Sequence, residues 1–280
     1  MKKYSAAILL ISFFVSSPVL AAPQANTSTL PMEGLRKPAL AVFEETTQKP
    51  RWFANSYNEL GWVTQGNRQG MWTLLSNQAS CAVTKWLMPY VGVDVWNRLG
   101  QRDNIITGGA YFKFKDKSYL RAEMGWGADI TYVYRWQATL EYEHPLYKGL
   151  SGNISGRYLN YPVNDVWIQS PGLRYYFKDH YIGVAYNVAE TMSRGTAQSV
   201  AVKGHYAFCE WFNLEAGTAF GERVYDIFEL PASKQYGYIL FTRGEVHISK
   251  NLSAQVGFAY SHERPSFIKR DLTLGLSLKF

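Results

Sequence analysis

The chain is poor in charge, with only 18% Asp, Glu, Lys and Arg among its 280 residues, and it has two cysteines. It also lacks any apolar run of about 20 residues, the length that crosses a bilayer as a helix. Together these features argue against a disulfide-built scaffold and a helical membrane protein. The net charge of +7 is scattered, with no basic stripe or nucleic-acid motif, so no nucleic-acid partner is expected. No group of His, Cys or acidic residues has the spacing of a metal site, and no cofactor motif occurs.

Aromatics, by contrast, are abundant, at 16% with 20 Tyr and 9 Trp. Yet the mean hydropathy is −0.21. An aromatic-rich, mildly polar chain fits strands with one face in lipid and the other in water.

The N-terminus reads as an export signal. Lys2 and Lys3 form a positive start, an apolar stretch runs from Ala6 to Val15, and Ser16, Ser17 and Pro18 break it. Val19-Leu20-Ala21, or the same pattern one residue later, suits a signal peptidase. We expect a cleaved signal peptide over 1–22. A short periplasmic arm should follow over 23–51, aperiodic and punctuated by Pro23, Pro31, Pro38 and Pro50, with a helical piece near 40–46.

From Trp52 onward the chain alternates with period two. Leu272, Leu274, Leu276, Leu278 and Phe280 share one face, against Asp271, Thr273, Gly275, Ser277 and Lys279. The pattern repeats with Leu252, Ala254, Val256, Phe258 and Tyr260, again with Ile182, Val184, Tyr186 and Val188, and again with Tyr134, Trp136, Ala138, Leu140 and Tyr142. These runs are about 9 to 13 residues long, which exceeds a usual soluble strand and suits a tilted crossing. Aromatics such as Trp126, Trp136, Tyr142, Tyr158, Phe177, Trp211 and Tyr260 sit toward run ends, as interfacial girdles do.

Short turns, around 115–118, 148–150, 178–180 and 250–252, alternate with more polar connections at 66–70, 99–103, 160–165, 190–196 and 222–234. The short set is assigned to the periplasm and the longer set to the outside, with 222–234 the longest. The expectation is an all-β fold over 52–280: a single antiparallel transmembrane β-barrel of about 14 strands, 12 being the alternative. Its place is the bacterial outer membrane, with lipid and lipopolysaccharide around it and the barrel assembly machinery needed for insertion.

The stretches TLEYEHPLYKGL from Thr139, GRYLNY from Gly156 and PGLRYY from Pro171 resemble the YaiO family of outer-membrane β-barrels. So do Asp103 with Gly108 and Gly109, and an expected turn at Gly125-Trp126-Gly127. The terminal strand ending on Phe280 resembles the signature recognised by the assembly machinery. This likeness spans roughly 55–280 and carries no catalytic residues. It implies a link to exopolysaccharide synthesis and export.

Chemistry is sparse. Ser261, His262 and Glu263 are the most tempting hydrolase trio, but consecutive strand residues point to opposite faces, so His262 should face away from the other two. No catalytic residues and no enzyme activity are therefore expected. Cys81 and Cys209 are read as unpaired, on strands far apart.

By alternation the lumen should receive Arg121, Glu123, Arg135, Glu141, Glu143, Arg157, Arg174, Lys203, His205, Glu215, Arg243, Glu245 and His247. Such a mixed lining either satisfies itself and fills the pore or forms a path for a polar solute. In the second case Arg121, Arg135 and Arg157 on neighbouring strands would form a binding row, with Tyr111, Tyr176 and Phe241 for stacking. The leading functional expectation is a non-enzymatic pore or accessory factor for polysaccharide. The alternatives are a lipid-modifying enzyme and a structural or adhesive surface barrel.

Overall fold

Fourteen antiparallel strands close on themselves in a barrel, each paired with its sequence neighbours and β1 with β14. The strands are β1 (Arg51–Gln65), β2 (Arg68–Ala82), β3 (Leu87–Arg98), β4 (Gln101–Lys113), β5 (Tyr119–Ala128), β6 (Trp136–Tyr147) and β7 (Leu150–Asn160), then β8 (Asp165–Phe177), β9 (His180–Thr191), β10 (Gly195–Cys209), β11 (Phe212–Arg223), β12 (Gln235–Ser249), β13 (Leu252–Glu263) and β14 (Phe267–Lys279). This computed structural model describes residues 51–280 apart from 99, 129, 163, 192–194, 224–234 and 265–266. The expected signal peptide, the arm up to residue 50 and most of the 222–234 connection therefore lie outside the described residues.

The count of 14 matches the sequence expectation, and the alternative of 12 is excluded. The stretch 77–84 is the end of β2 and its connection to β3. Closure follows from physical necessity: an open edge in hydrocarbon would leave a row of unpaired N–H and C=O groups. The seam is paired along nearly its whole length, from Phe53↔Lys279 to Gln65↔Phe267. Beyond it the Phe280 N–H donates to the Trp52 carbonyl at 2.9 Å.

The two faces differ as lipid and lumen should. On β14, Leu274 and Leu276 are 47% and 51% exposed, while Lys269, Asp271 and Thr273 on the other face are buried. A long apolar band turned outward, with polar groups buried inside, inverts a soluble sandwich and needs hydrocarbon around it. Trp52, Trp62, Trp126, Trp136, Trp167 and Trp211 are also exposed on the outer surface.

Three details differ from the sequence reading. Several outward connections are as tight as the periplasmic ones: β1 ends at Gln65 and β2 begins at Arg68, and β3 ends at Arg98 with β4 beginning at Gln101. Polar residues there continue the ladder across the hairpin instead of looping out. Gly125, Trp126 and Gly127 belong to β5, paired with β4, and the turn comes after Ala128. Tyr134 does not belong to an outward row, because β6 begins at Trp136; its ring is buried with Ile105, Val133, Leu159 and Val166.

At the periplasmic rim Lys148 and Gly149 both have positive φ (38° and 88°), the backbone a two-residue hairpin prefers. Register shifts in the β6–β7, β10–β11 and β12–β13 pairs fall at this same rim.

Candidate functional site: the barrel interior

Arg121 and Glu123 lie two residues apart on β5 and so share the inward face. The guanidinium of Arg121 bonds Glu123 at 2.8 Å and donates through Nε to the Tyr90 hydroxyl at 3.1 Å. Tyr90 in turn donates to Glu123, which also accepts from Gln137 Nε2 at 3.1 Å. Gly109 makes this possible, since a Cβ there would sit 2.6 Å from the Tyr90 ring and hydroxyl. Arg121 also lies 3.7 Å from Glu141, its register partner on β6, and Glu141 accepts from Tyr119 at 2.9 Å.

A second network follows around the wall. Arg174 pairs with Glu143 and donates to Tyr176 at 2.9 Å, and Tyr176 donates to the other oxygen of Glu143 at 2.7 Å. The Tyr181 ring lies under Arg174 (5.3 Å) and Lys203 (5.9 Å), and its hydroxyl donates to Glu215 at 2.9 Å. Glu215 continues to Arg243 at 3.5 Å. His247 contacts Ser253 at 2.7 Å and Asn213 at 3.0 Å, beside Glu245 at 3.9 Å.

Of the residues expected in the lumen, Arg121, Glu123, Glu143, Arg174, Glu215 and Glu245 are buried, and Glu141, Arg157, Lys203, His205, Arg243 and His247 are half-buried on inward faces. Arg135 is a correction: it precedes β6 and is exposed. The expected arginine row of Arg121, Arg135 and Arg157 does not form. Register sets Arg121 opposite Glu141, its opposite charge, and Arg157 opposite the neutral Thr139, so no arginine faces another across these strands. Among the stacking candidates, Tyr111 is buried with its ring 5.2 Å from Tyr90, Tyr176 is held by Glu143, and Phe241 lies over Gly217.

The sequence reading missed a third group, nearer the outer rim. Lys269 is 1% exposed, with its Nζ 2.7 Å from Glu59 and 2.8 Å from Asp271. Gly61 leaves the space, because a Cβ there would meet Asp271 at 2.5 Å and Lys269 at 2.8 Å. Beside it, Arg98 is sandwiched 4.7 Å from the rings of both Trp72 and Trp96. The signal was available: Lys269 continues the polar row of Asp271, Thr273 and Gly275 by one step. It could have flagged an inward lysine, although its carboxylate partners required the seam register.

Also missed was Asp103. Its carboxylate accepts the backbone N–H groups of Thr131 (3.0 Å), Tyr132 (2.8 Å) and Val133 (2.9 Å). That pins the β5–β6 connection into the mouth, where Val133 and Tyr134 pack on Ile105, Leu159 and Val166.

Ser261 and Glu263 are buried inside, while the His262 ring stacks on Tyr238 (5.5 Å), so the wall divides the three. Cys81 and Cys209 are both free.

An antiparallel closed barrel, apolar outside and polar within, defines an outer-membrane β-barrel protein. Residues 58–219 match the YaiO membrane beta barrel domain, and the chain belongs to that family. No curated protein sequence matches it. Solved structures share the fold at low identity. The CymD monoaromatic hydrocarbon channel superposes with a TM-score of 0.57 at 8% identity, covering 92% of this chain and 95% of its own. A bacterial polysaccharide outer membrane secretin gives 0.55 at 8%, covering 80% and 98%. A Pseudomonas aeruginosa FadL homologue gives 0.54 at 9%, covering 83% and 90%.

Proposed function

We propose that this barrel is a non-enzymatic conduit, or accessory to one, for polysaccharide crossing the outer membrane, with its path displaced to one side of the lumen. The observation that carries the reading is the asymmetry of the inner wall. From β1 to β5 the inward positions hold the buried Glu59, Trp72, Tyr90, Ile105 and Arg121: Glu59 and Trp72 meet Lys269, Tyr90 binds Arg121, and Ile105 packs with Val133, Tyr134 and Leu159. On β9 to β11 they hold Ala185, Asn187, Ser199, Ala201, Gly217 and Ala219, which pair across the strands and stay partly accessible. Small residues on one arc leave room that bulky networks on the other arc occupy.

This arc offers the Ser199 hydroxyl and the Asn187 amide, with Lys203 and Arg243 at its edge, a lining suited to a hydrated sugar chain. The candidates Glu123, Glu141, Glu143, Arg157, Arg174, Glu215 and Glu245 then act as a rigid charged frame and not as a continuous binding row. The family resemblance and the polysaccharide secretin's fold support the same direction. The separation of Ser261 and Glu263 from His262 speaks against the hydrolase alternative.

Planar-bilayer conductance tests the reading. The purified barrel should conduct, and Ala201→Trp, which fills the small-residue arc, should at least halve the current. A silent bilayer, or an unchanged current with Ala201→Trp, rejects the conduit.

A further inference from the structure

We propose that the outer-rim surface around Arg270 is a binding site for a phosphorylated glycolipid of the outer leaflet. This inference rests on the outer-membrane location and not on the conduit reading.

Arg270 is exposed on the outward face of β14, immediately beyond the leucine row that ends at Leu272. Its register partners are Trp62 on β1 and Tyr260 on β13, so aromatic side chains flank it on both sides. It lies three residues inside the strand end, about 7–8 Å below the rim at the usual strand rise and tilt. That depth is where acyl chains meet headgroups. Among the described residues the Arg270 side chain makes no ion pair and no hydrogen bond, and no carboxylate faces outward on β13, β14, β1 or β2. A guanidinium at this depth is unfavourable unless an anion meets it or it reaches water.

The neighbourhood adds donors in the same direction. His262, stacked on Tyr238, faces outward one step further along β13, and Arg264 is exposed at the top of that strand. The Arg264 N–H donates to the Tyr236 carbonyl at 3.0 Å, which fixes the backbone beneath it. Arg264 and Arg270 are separated by about four residue steps, roughly 13 Å. A headgroup bearing two phosphates can meet both guanidinium groups without either arm having to reach across to the other, with its acyl chains along Leu272, Leu274 and Phe258. The fork of arginine suits phosphate oxygens, and the flanking rings suit the headgroup level.

The test uses the full chain in detergent, titrated with bisphosphorylated lipid A, with dephosphorylated lipid A and with inorganic phosphate, and read by native mass spectrometry. The bisphosphorylated lipid should bind at least about tenfold tighter than the dephosphorylated one. Arg264→Gln with Arg270→Gln should abolish that difference, Arg270→Lys should keep most of it, and Arg102→Gln on β4 should leave it intact. Heat-modifiable migration on a gel confirms that each variant has folded. Equal binding of the two lipids, or wild-type preference in the double variant, overturns the site. Inorganic phosphate binding as tightly as the lipid would make it a free-anion site and also overturn the proposal. A barrel that fails to conduct leaves this result untouched.

Discussion

Replacing Lys269 with methionine is the sharpest test of how the interior is held. The ammonium is 1% exposed and sits 2.7 Å from Glu59 and 2.8 Å from Asp271, both of them buried. Methionine fills most of the same volume, so the substitution removes the charge with little change in packing. What remains is two carboxylates facing each other without the cation that offset their desolvation. Breaking a buried pair in this way costs about 3–5 kcal/mol, and the larger figure applies if both acids stay ionised. With a urea dependence of about 1–3 kcal/mol per molar, the midpoint of unfolding from lipid vesicles should fall by at least roughly 1 M. Tryptophan fluorescence and gel mobility read the transition. Adding Asp271→Asn and Glu59→Gln should recover most of the loss, since polar but neutral groups no longer repel. A loss below about 1 kcal/mol, or no recovery on neutralising the acids, would refute the claim that the triad works as a unit.

Asp103→Ala should free the segment after β5: three N–H donors lose an ionised acceptor, at a total of about 2–4 kcal/mol, and trypsin should then cut faster after exposed Arg135. Unchanged cleavage would show that the packing of Val133 and Tyr134 suffices alone. Gly217→Ala should destabilise the barrel by about 1–3 kcal/mol, because a Cβ there would lie 2.6 Å from both the Phe241 ring and the Val202 carbonyl; urea unfolding measures it. In the turn between β4 and β5, hydrogen bonds from the Ser118 hydroxyl and N–H hold the Asp116 carboxyl below its ordinary value. A lowered folded value means stabilisation that is present above the unfolded pKa of about 3.9 and lost as pH falls through the folded value. Ser118→Ala should move the Asp116 titration upward, as followed by carboxyl NMR, and an unmoved titration would sink this assignment.

Period-two alternation made the barrel legible because a wall between lipid and water imposes opposite demands on successive residues, and those demands are written locally. The leucine row of β14, the repeated rows of β9 and β13 and the aromatic run ends were enough for 14 strands. Inward orientation of Arg121, Glu123 and Arg174 followed from the same rule. Where that rule failed, the cause was local. Alternation carried through position 135 places Arg135 inward, but Asp103 captures the backbone just before it and delays β6 until Trp136.

Pairing between strands lay beyond the sequence. Lys269 is 210 residues from Glu59, and only the β1–β14 register brings them together. The same holds for Arg98 between Trp72 and Trp96, and for the small-residue arc of β9 to β11, which exists only once Ala185, Ala201 and Ala219 lie side by side. The face on which a residue sits follows from its own position along a strand. The residues it meets depend on closure and stagger, which are properties of the whole sheet.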